Sequence, residues 1–235
     1  MVEIDGKSLL NRQLDVLYSR GLKRIVIVGG YRADQLERFG LTLRLNPRYA
    51  DTNMVWSLFC AEDELKGDVV IAYGDIVYSR EILDQLLQST ADIAVAIDMN
   101  WERYWRARNE DPLADAETLK LGGDGRILEI GQKPKSLEEI QGQYMGLVKY
   151  SAKGLVWLKS VYQEAKSNND MRGKLPEKAY MTDLLQSIID KGFPVTAVPI
   201  TSAWVEVDTV EDKENAVTKD RLKEIEQSCV HQTPS

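Results

Sequence analysis

Short β-branched runs alternate with helix-periodic segments along most of the chain, and that rhythm limits the fold more than any other feature. KRIVIVGG (23–30), VVIAYGD (69–75) and ADIAVAID (91–98) are too short for buried helices and carry too few polar residues for exposed strands. Between them lie segments of helical period: SLLNRQLDVLYSRG, with Leu9, Leu10, Leu14, Leu17 and Tyr18 on one face, then TNMVWSLFCAEDEL, then SREILDQLLQS. Thr52 is the expected N-cap of the second. Strands apolar on both faces need cover on both faces. The pattern therefore predicts an α/β fold, Rossmann-like and three-layered, with a mixed, mainly parallel sheet.

After Asp98 the texture changes. NWERYWRARNEDPLADAE is polar and aromatic, ETLKLGGDGRILEIG reads as two strands around a Gly-Asp-Gly turn, and QYMGLVKY as a further strand. A helix follows over about 153–166, and another, AYMTDLLQSIIDKG, closes at Gly192. FPVTAVPI and AWVEV read as strands, and TVEDKENAVTKDRLKEIEQ as a last charged helix. The expected organisation is one domain over 1–220, with an insertion near 99–145, a helical flap near 151–192, and a tail from 221 to 235.

Composition removes several kinds of chemistry. With 30 basic and 37 acidic residues the net charge is −7, which argues against non-specific nucleic-acid binding. No run approaches the roughly 20 apolar residues that span a bilayer, and no secretory signal opens the chain, so a cytoplasmic protein is expected. Cys60 and Cys229 have no metal-ligand spacing and read as free thiols. The single histidine, His231, lies in a polar tail, so a histidine base or a histidine-bound zinc is not expected. Chemistry must rest on carboxylates, lysines and backbone amides.

Ligands of open α/β sheets bind beyond the carboxyl ends of the strands. VGGY, YGD and WVEVD deliver polar groups there, and Gly29 and Gly30 allow close approach of a ligand to backbone. Asp75 and Asp208 read either as helix caps or as ligands of one divalent cation. Lys133 and Lys135 of GQKPKS read either as solvated turn residues or as phosphate contacts. Trp157 falls on a helix's apolar stripe. Alternation puts Trp204, Glu206 and Asp208 on one face, where an aromatic ring beside carboxylates would suit a quaternary ammonium; ordinary packing is the other, more common, reading of Trp204.

In order, EIDGKSLLNRQLDVLYSRGLKRIVIVGGY, NPRYADTNMVWSL, AYGD, GQKPKS, YMGL and WVEVDTVED resemble the sugar-nucleotide pyrophosphorylase (nucleotidyltransferase) superfamily, and within it the bacterial phosphocholine cytidylyltransferase-like group. The likeness runs from about residue 2 to 217. It implies a nucleotide-diphospho-sugar transferase fold and transfer of CMP from CTP to a phosphorylated small molecule, with phosphocholine the foremost acceptor and pyrophosphate released. Mg2+ would sit on Asp75 and Asp208, and Lys133 would approach the phosphates. Gly29, Gly30, Tyr31, Asn53, Ser57 and Gly74 would line the nucleotide. Glu117, Tyr144, Gly146, Tyr180, Asp183, Trp204 and Glu206 would surround the acceptor, with Asp115 as a further wall.

The family's first strand and glycine-rich phosphate loop have no counterpart in this sequence. Their absence implies weak catalysis or none. Other acceptors compatible with the pattern are 2-aminoethylphosphonate and a sugar 1-phosphate. A non-catalytic nucleotide- or partner-binding relative is the alternative of another class. A nicotinamide-dependent dehydrogenase is disfavoured because VGGY does not complete G-x-G-x-x-G. Oligomeric state is not legible in the sequence.

Overall fold

A computed structural model describes residues 1–230; His231 and the side chain of Cys229 lie outside the described residues. The chain opens with a hairpin of β1 (Glu3–Ile4) and β2 (Lys7–Ser8), then α1 (Leu9–Ser19), β3 (Val26–Gly29), β4 (Thr42–Leu45) and α2 (Met54–Phe59). Next come β5 (Val69–Ala72), β6 (Ile76–Tyr78), α3 (Arg80–Gln88), β7 (Ile93–Asp98) and α4 (Trp101–Arg108). They are followed by β8 (Leu119–Leu121), β9 (Ile127–Ile130), β10 (Gln143–Tyr150), α5 (Ala152–Asn168) and α6 (Met181–Asp190). The last elements are β11 (Thr196–Ile200), β12 (Trp204–Glu206), α7 (Val210–Glu214) and α8 (Ala216–Val230).

The central sheet has the order β11-β7-β10-β5. β11 runs parallel to β7, whereas β10 is antiparallel to both β7 and β5. Three of the four strands thus point the same way, and β10 alone runs against them. Successive residues of β7 face opposite cores, as the period of two requires. Ile93, Val95 and Ile97 pack with α5 and α6, while Ala94 and Ala96 pack with α3 and α4. Among the described residues β5 bonds to β10 alone and β3 to β4 alone, so both strands stay half-buried despite their apolar sequence.

Local chemistry explains the element starts. Ser8 Oγ accepts from Asn11 N at 3.1 Å to cap α1, and Ser151 Oγ accepts from Gly154 N at 3.1 Å to cap α5. Asn53, not Thr52, occupies the N-cap of α2; Thr52 Oγ1 instead donates to Arg48 O. The polar–aromatic stretch after Asp98 forms α4, whose Trp101, Tyr104 and Trp105 are buried. Within 151–192, α5 and α6 form the layer covering one face of the sheet. Leu184, Leu185 and Ile188 of α6 are fully buried, and truncating one of them to Ala would cost about 2–5 kcal/mol.

The last charged segment is two helices broken at Asn215. Leu222 and Ile225 of α8 are each 2% exposed, so 221–227 belongs to the packed body. No helix among the described residues is long and apolar enough to cross a membrane.

Candidate active site

Two short strands assemble the acidic edge. β6 and β12 pair antiparallel with Glu206 opposite Ile76, and Val207 N donates to Asp75 O at 3.0 Å. That register sets Asp75 across from the Glu206–Asp208 segment, although Asp75 and Glu206 lie 131 positions apart in sequence. Neither aspartate caps a helix. Ser79 Oγ accepts from Ile82 N to cap α3, and Thr209 Oγ1 accepts from Asp212 N at 3.0 Å to cap α7. The capping reading of Asp75 and Asp208 is thereby removed.

Asp75 Oδ1 is buried and has no hydrogen-bond partner among the described residues. Burial, then repulsion from Asp208, raises the Asp75 carboxyl above its usual range. Glu206 is pushed up to about 7 by burial and by Asp208, against the pull of Arg108. The guanidinium of Arg108 organises this edge. It donates to Glu206 Oε2 at 2.6 Å, to Asp208 Oδ2 at 2.9 Å and to Asp212 Oδ1 at 2.9 Å, and its side chain is only 5% exposed. From the other side, Gln13 Nε2 of α1 donates to Tyr73 O at 2.8 Å and Ile76 O at 2.5 Å, clamping the turn that carries Asp75.

A second cluster lies around Glu117. Thr182 Oγ1 donates to Glu117 Oε1 at 3.3 Å, and Lys174 Nζ reaches both oxygens of Asp183 at 2.9 and 2.7 Å. Tyr73 and Tyr144, edge to face with centroids 5.7 Å apart, connect the clusters. Both phenols are raised chiefly by burial, and both lie within charge range of Glu117 and of Asp75. A cavity of about 410 Å³ that includes Lys7, Arg12, Arg80 and Glu226 in its lining shares no residue with either cluster.

Several expected contacts are redirected by the tertiary structure. Trp204 is fully buried, its Nε1 donates to Asp98 Oδ2 at 2.8 Å, and its ring packs edge-on against Tyr104 at 5.4 Å. It is a core residue and offers no face to an ammonium. Gly29 and Gly30 make room for the chain itself: a Cβ on Gly30 would stand 2.4 Å from Tyr49 Cβ, and one on Gly29 2.9 Å from Leu36 Cδ1. A Cβ on Gly146, at φ +81° in the β10 bulge, would meet the Tyr73 ring at 2.7 Å.

The other expected contacts stand as follows. Asn53 Nδ2 donates to Lys178 O at 2.7 Å, and Ser57 Oγ accepts from Asn46 at 2.9 Å. Tyr31 is 76% exposed, and Gly74 borders open space beside Asp75. Lys133 Nζ donates to Leu113 O at 2.5 Å and Ala114 O at 2.7 Å, so its ammonium holds the 112–114 turn. Asp183 Oδ2 accepts from Tyr180 N at 2.9 Å at the start of α6, beside its pairing with Lys174, and Tyr180 itself is exposed.

The MobA-like NTP transferase domain matches residues 1–133, more than half of the chain. The chain belongs to that family. This MobA-like transferase is 35% identical over 230 residues to the CTP:phosphoglutamine cytidylyltransferase of Campylobacter jejuni subsp. jejuni serotype O:2, covering 93% of the present chain and 90% of that one. It is 30% identical over 94 residues to the choline-phosphate cytidylyltransferase of Streptococcus pneumoniae, a match covering 38% of this chain and 41% of that protein.

Among solved structures, the transferase superposes on the inositol-1-phosphate CTP transferase from T. maritima with a TM-score of 0.73 and 17% identity, covering 96% of this chain and 86% of that one. The CTP:phosphocholine cytidylyltransferase from Streptococcus pneumoniae gives a TM-score of 0.69 at 19% identity, covering 93% of this chain and 87% of that one. These likenesses establish the nucleotide-diphospho-sugar transferase fold.

Reading the transferase's sequence missed Gln13, Arg108 and Lys174. Arg108 sits in a segment that reads as a polar insertion, and Gln13 is one polar residue of an amphipathic helix. Only the contacts reveal them.

Proposed function

We propose that the protein is a cytidylyltransferase that moves CMP from CTP to a small phosphorylated acceptor and releases pyrophosphate. The observation that carries this is the buried, unpartnered Asp75 Oδ1 facing the Glu206–Asp208 segment at the carboxyl edge of the sheet. The cytidylyltransferases to which the chain is similar support the choice of CTP.

Asp75 and Asp208 fit Mg2+, which commonly binds through one or two carboxylates and completes its shell with phosphate oxygens and water. When bound, the ion would neutralise triphosphate charge. Arg108 keeps Asp208 and Glu206 on one side of the site, and Gln13 holds the Asp75 turn. An acceptor phosphate oxygen forms a bond to the α-phosphorus of CTP while the bond to the bridging oxygen breaks, and pyrophosphate leaves with that electron pair. Lys133, freed from the 113 and 114 carbonyls, supplies a point charge to the phosphates. Such catalysis consists mostly of positioning and charge complementarity, which suits a site built from carboxylates, a lysine and clamped turns.

For the acceptor, phosphoglutamine is favoured over phosphocholine. The ring that would have met a quaternary ammonium, Trp204, is buried, and the more extensive relative acts on phosphoglutamine. Pyrophosphate release and the CMP-linked product, measured with CTP, Mg2+ and a panel of phosphorylated acceptors, test the reading. Transfer that depends on both Asp75 and Asp208 supports it. No transfer to any acceptor, or transfer unchanged in Asp75→Asn, rejects it.

A further inference from the structure

Resting on the cytidylyltransferase reading, we propose that Glu117 and Lys174 recognise an α-amino-acid end on the acceptor, Glu117 taking a primary ammonium and Lys174 the adjacent carboxylate. Asp183 and Glu117 were both expected to surround the acceptor, but Asp183 is already committed. Its carboxylate is 5% exposed, accepts from the Tyr180 amide, and holds Lys174 through both oxygens. Glu117 has no ion-pair partner within 4.0 Å among the described residues; the Thr182 hydroxyl, 3.3 Å away, is its side-chain hydrogen-bond donor. A carboxylate in that position has acceptor capacity left for N–H donors. A quaternary ammonium carries no N–H and is bound by aromatic faces, which the buried Trp204 does not supply.

Lys174 differs from an ordinary surface lysine. Its side chain is 40% exposed, yet the ammonium is fixed by Asp183 and lies over the Tyr180 ring at 4.6 Å. An ammonium has three donors, and Asp183 takes two. The third is available to a carboxylate, with most of the conformational entropy of the side chain already lost. Thr182 is seated by Gly131, at φ +83°, where a Cβ would stand 2.6 Å from the Thr182 Cβ. Glu117 lacks a cation and Lys174 has a donor to spare, so the end of a ligand that engages both carries an ammonium beside a carboxylate. Tyr73 and Tyr144, edge to face at 5.7 Å, both lie within charge range of Glu117 and of Asp75, where the phosphoryl end would react.

The test compares three acceptors: phosphoglutamine, the same compound with hydrogen in place of the α-carboxylate, and phosphocholine. Each is followed by CMP transfer and by calorimetric binding to the wild type, Lys174→Met, Lys174→Arg and Glu117→Gln. Loss of one charged hydrogen bond corresponds to roughly ten- to hundredfold. Lys174→Met is expected to weaken phosphoglutamine by that factor and to leave the decarboxylated compound and the KM for CTP within about threefold. Lys174→Arg should restore part of the loss, and Glu117→Gln should weaken both amine-bearing acceptors. Because Lys174→Met strands a buried Asp183, the double variant Lys174→Met/Asp183→Asn serves as the charge-balanced check on folding.

Equal losses for the two amine compounds in Lys174→Met, or tighter binding of phosphocholine than of phosphoglutamine to the wild type, would overturn the assignment. So would failure of the wild type to bind phosphoglutamine. If no acceptor is turned over but phosphoglutamine binds in a Lys174-dependent way, the reaction is rejected and the recognition site stands.

Discussion

The guanidinium of Arg108 stands 2.6 Å from Glu206 Oε2, and through this pair α4 holds β12 at the acidic edge that faces Asp75. Removing the cation leaves Glu206, Asp208 and Asp212 with their negative charges uncompensated. Arg108→Met is expected to destabilise the protein by about 3–5 kcal/mol at pH 8, the usual cost of breaking a buried pair. Urea denaturation reads it. The deficit should shrink at pH 6, where Glu206 takes a proton, and a deficit that ignores pH would contradict the pairing as drawn.

Glu206 sets a pH dependence of its own. Its folded value of about 7 lies above the ordinary 4.5, so between these the folded state binds more protons than the unfolded one. This group therefore lowers stability as pH rises from about 4.5 to about 7, and adds no further slope above or below that window. In the metal-free protein, Glu206→Gln should flatten the fall in stability between pH 5 and pH 7, by thermal melting across that range. A slope unaltered by the substitution would show that other groups dominate.

Gln13 clamps the Asp75 turn through two carbonyls. Gln13→Leu keeps the volume and leaves both carbonyls unsatisfied, a loss of about 1–3 kcal/mol. Its effect on CMP transfer should fall mainly on kcat, about tenfold, because a turn displaced by a fraction of an ångström misplaces the carboxylate. If KM for CTP rises instead with kcat intact, the clamp serves binding and not alignment.

The sealed setting of Trp204 is open to a direct test. With its N–H on Asp98 and its ring against Tyr104, Trp204→Phe should cost about 1–3 kcal/mol by stranding a buried carboxylate oxygen. KM for the acceptor should stay within about twofold, the small change expected of a residue the substrate does not touch. Quenching of Trp204 fluorescence by a choline-bearing ligand would reinstate the tryptophan as a binding wall.

Lys133 presents the simplest comparison. Lys133→Met removes the ammonium from the 113 and 114 carbonyls of an exposed turn, so stability should change by less than about 1 kcal/mol. CMP transfer should fall at least tenfold if the freed ammonium meets developing phosphate charge. Unchanged turnover would reduce Lys133 to a loop anchor.

The sequence by itself determined the class of fold and the order of its elements. Short continuous apolar runs and capped helical segments are local signals, and local sterics and burial suffice to read them in KRIVIVGG, ADIAVAID and SREILDQLLQS. It also placed Asp75 and Asp208 at strand ends. Tertiary structure decided which of the candidate side chains remain available. Trp204 and Asp183 carry the same chemistry in either setting, but one is sealed under Tyr104 and the other is held by Lys174. Gly30 allows close approach, yet the group that approaches is Tyr49. Arg108, from a segment that looked like a polar insertion, became the hub of the acidic edge. The physical reason is that hydrogen-bond capacity and burial are properties of contacts between distant residues. A pattern along the chain shows which groups exist, and only packing settles which of them are already satisfied.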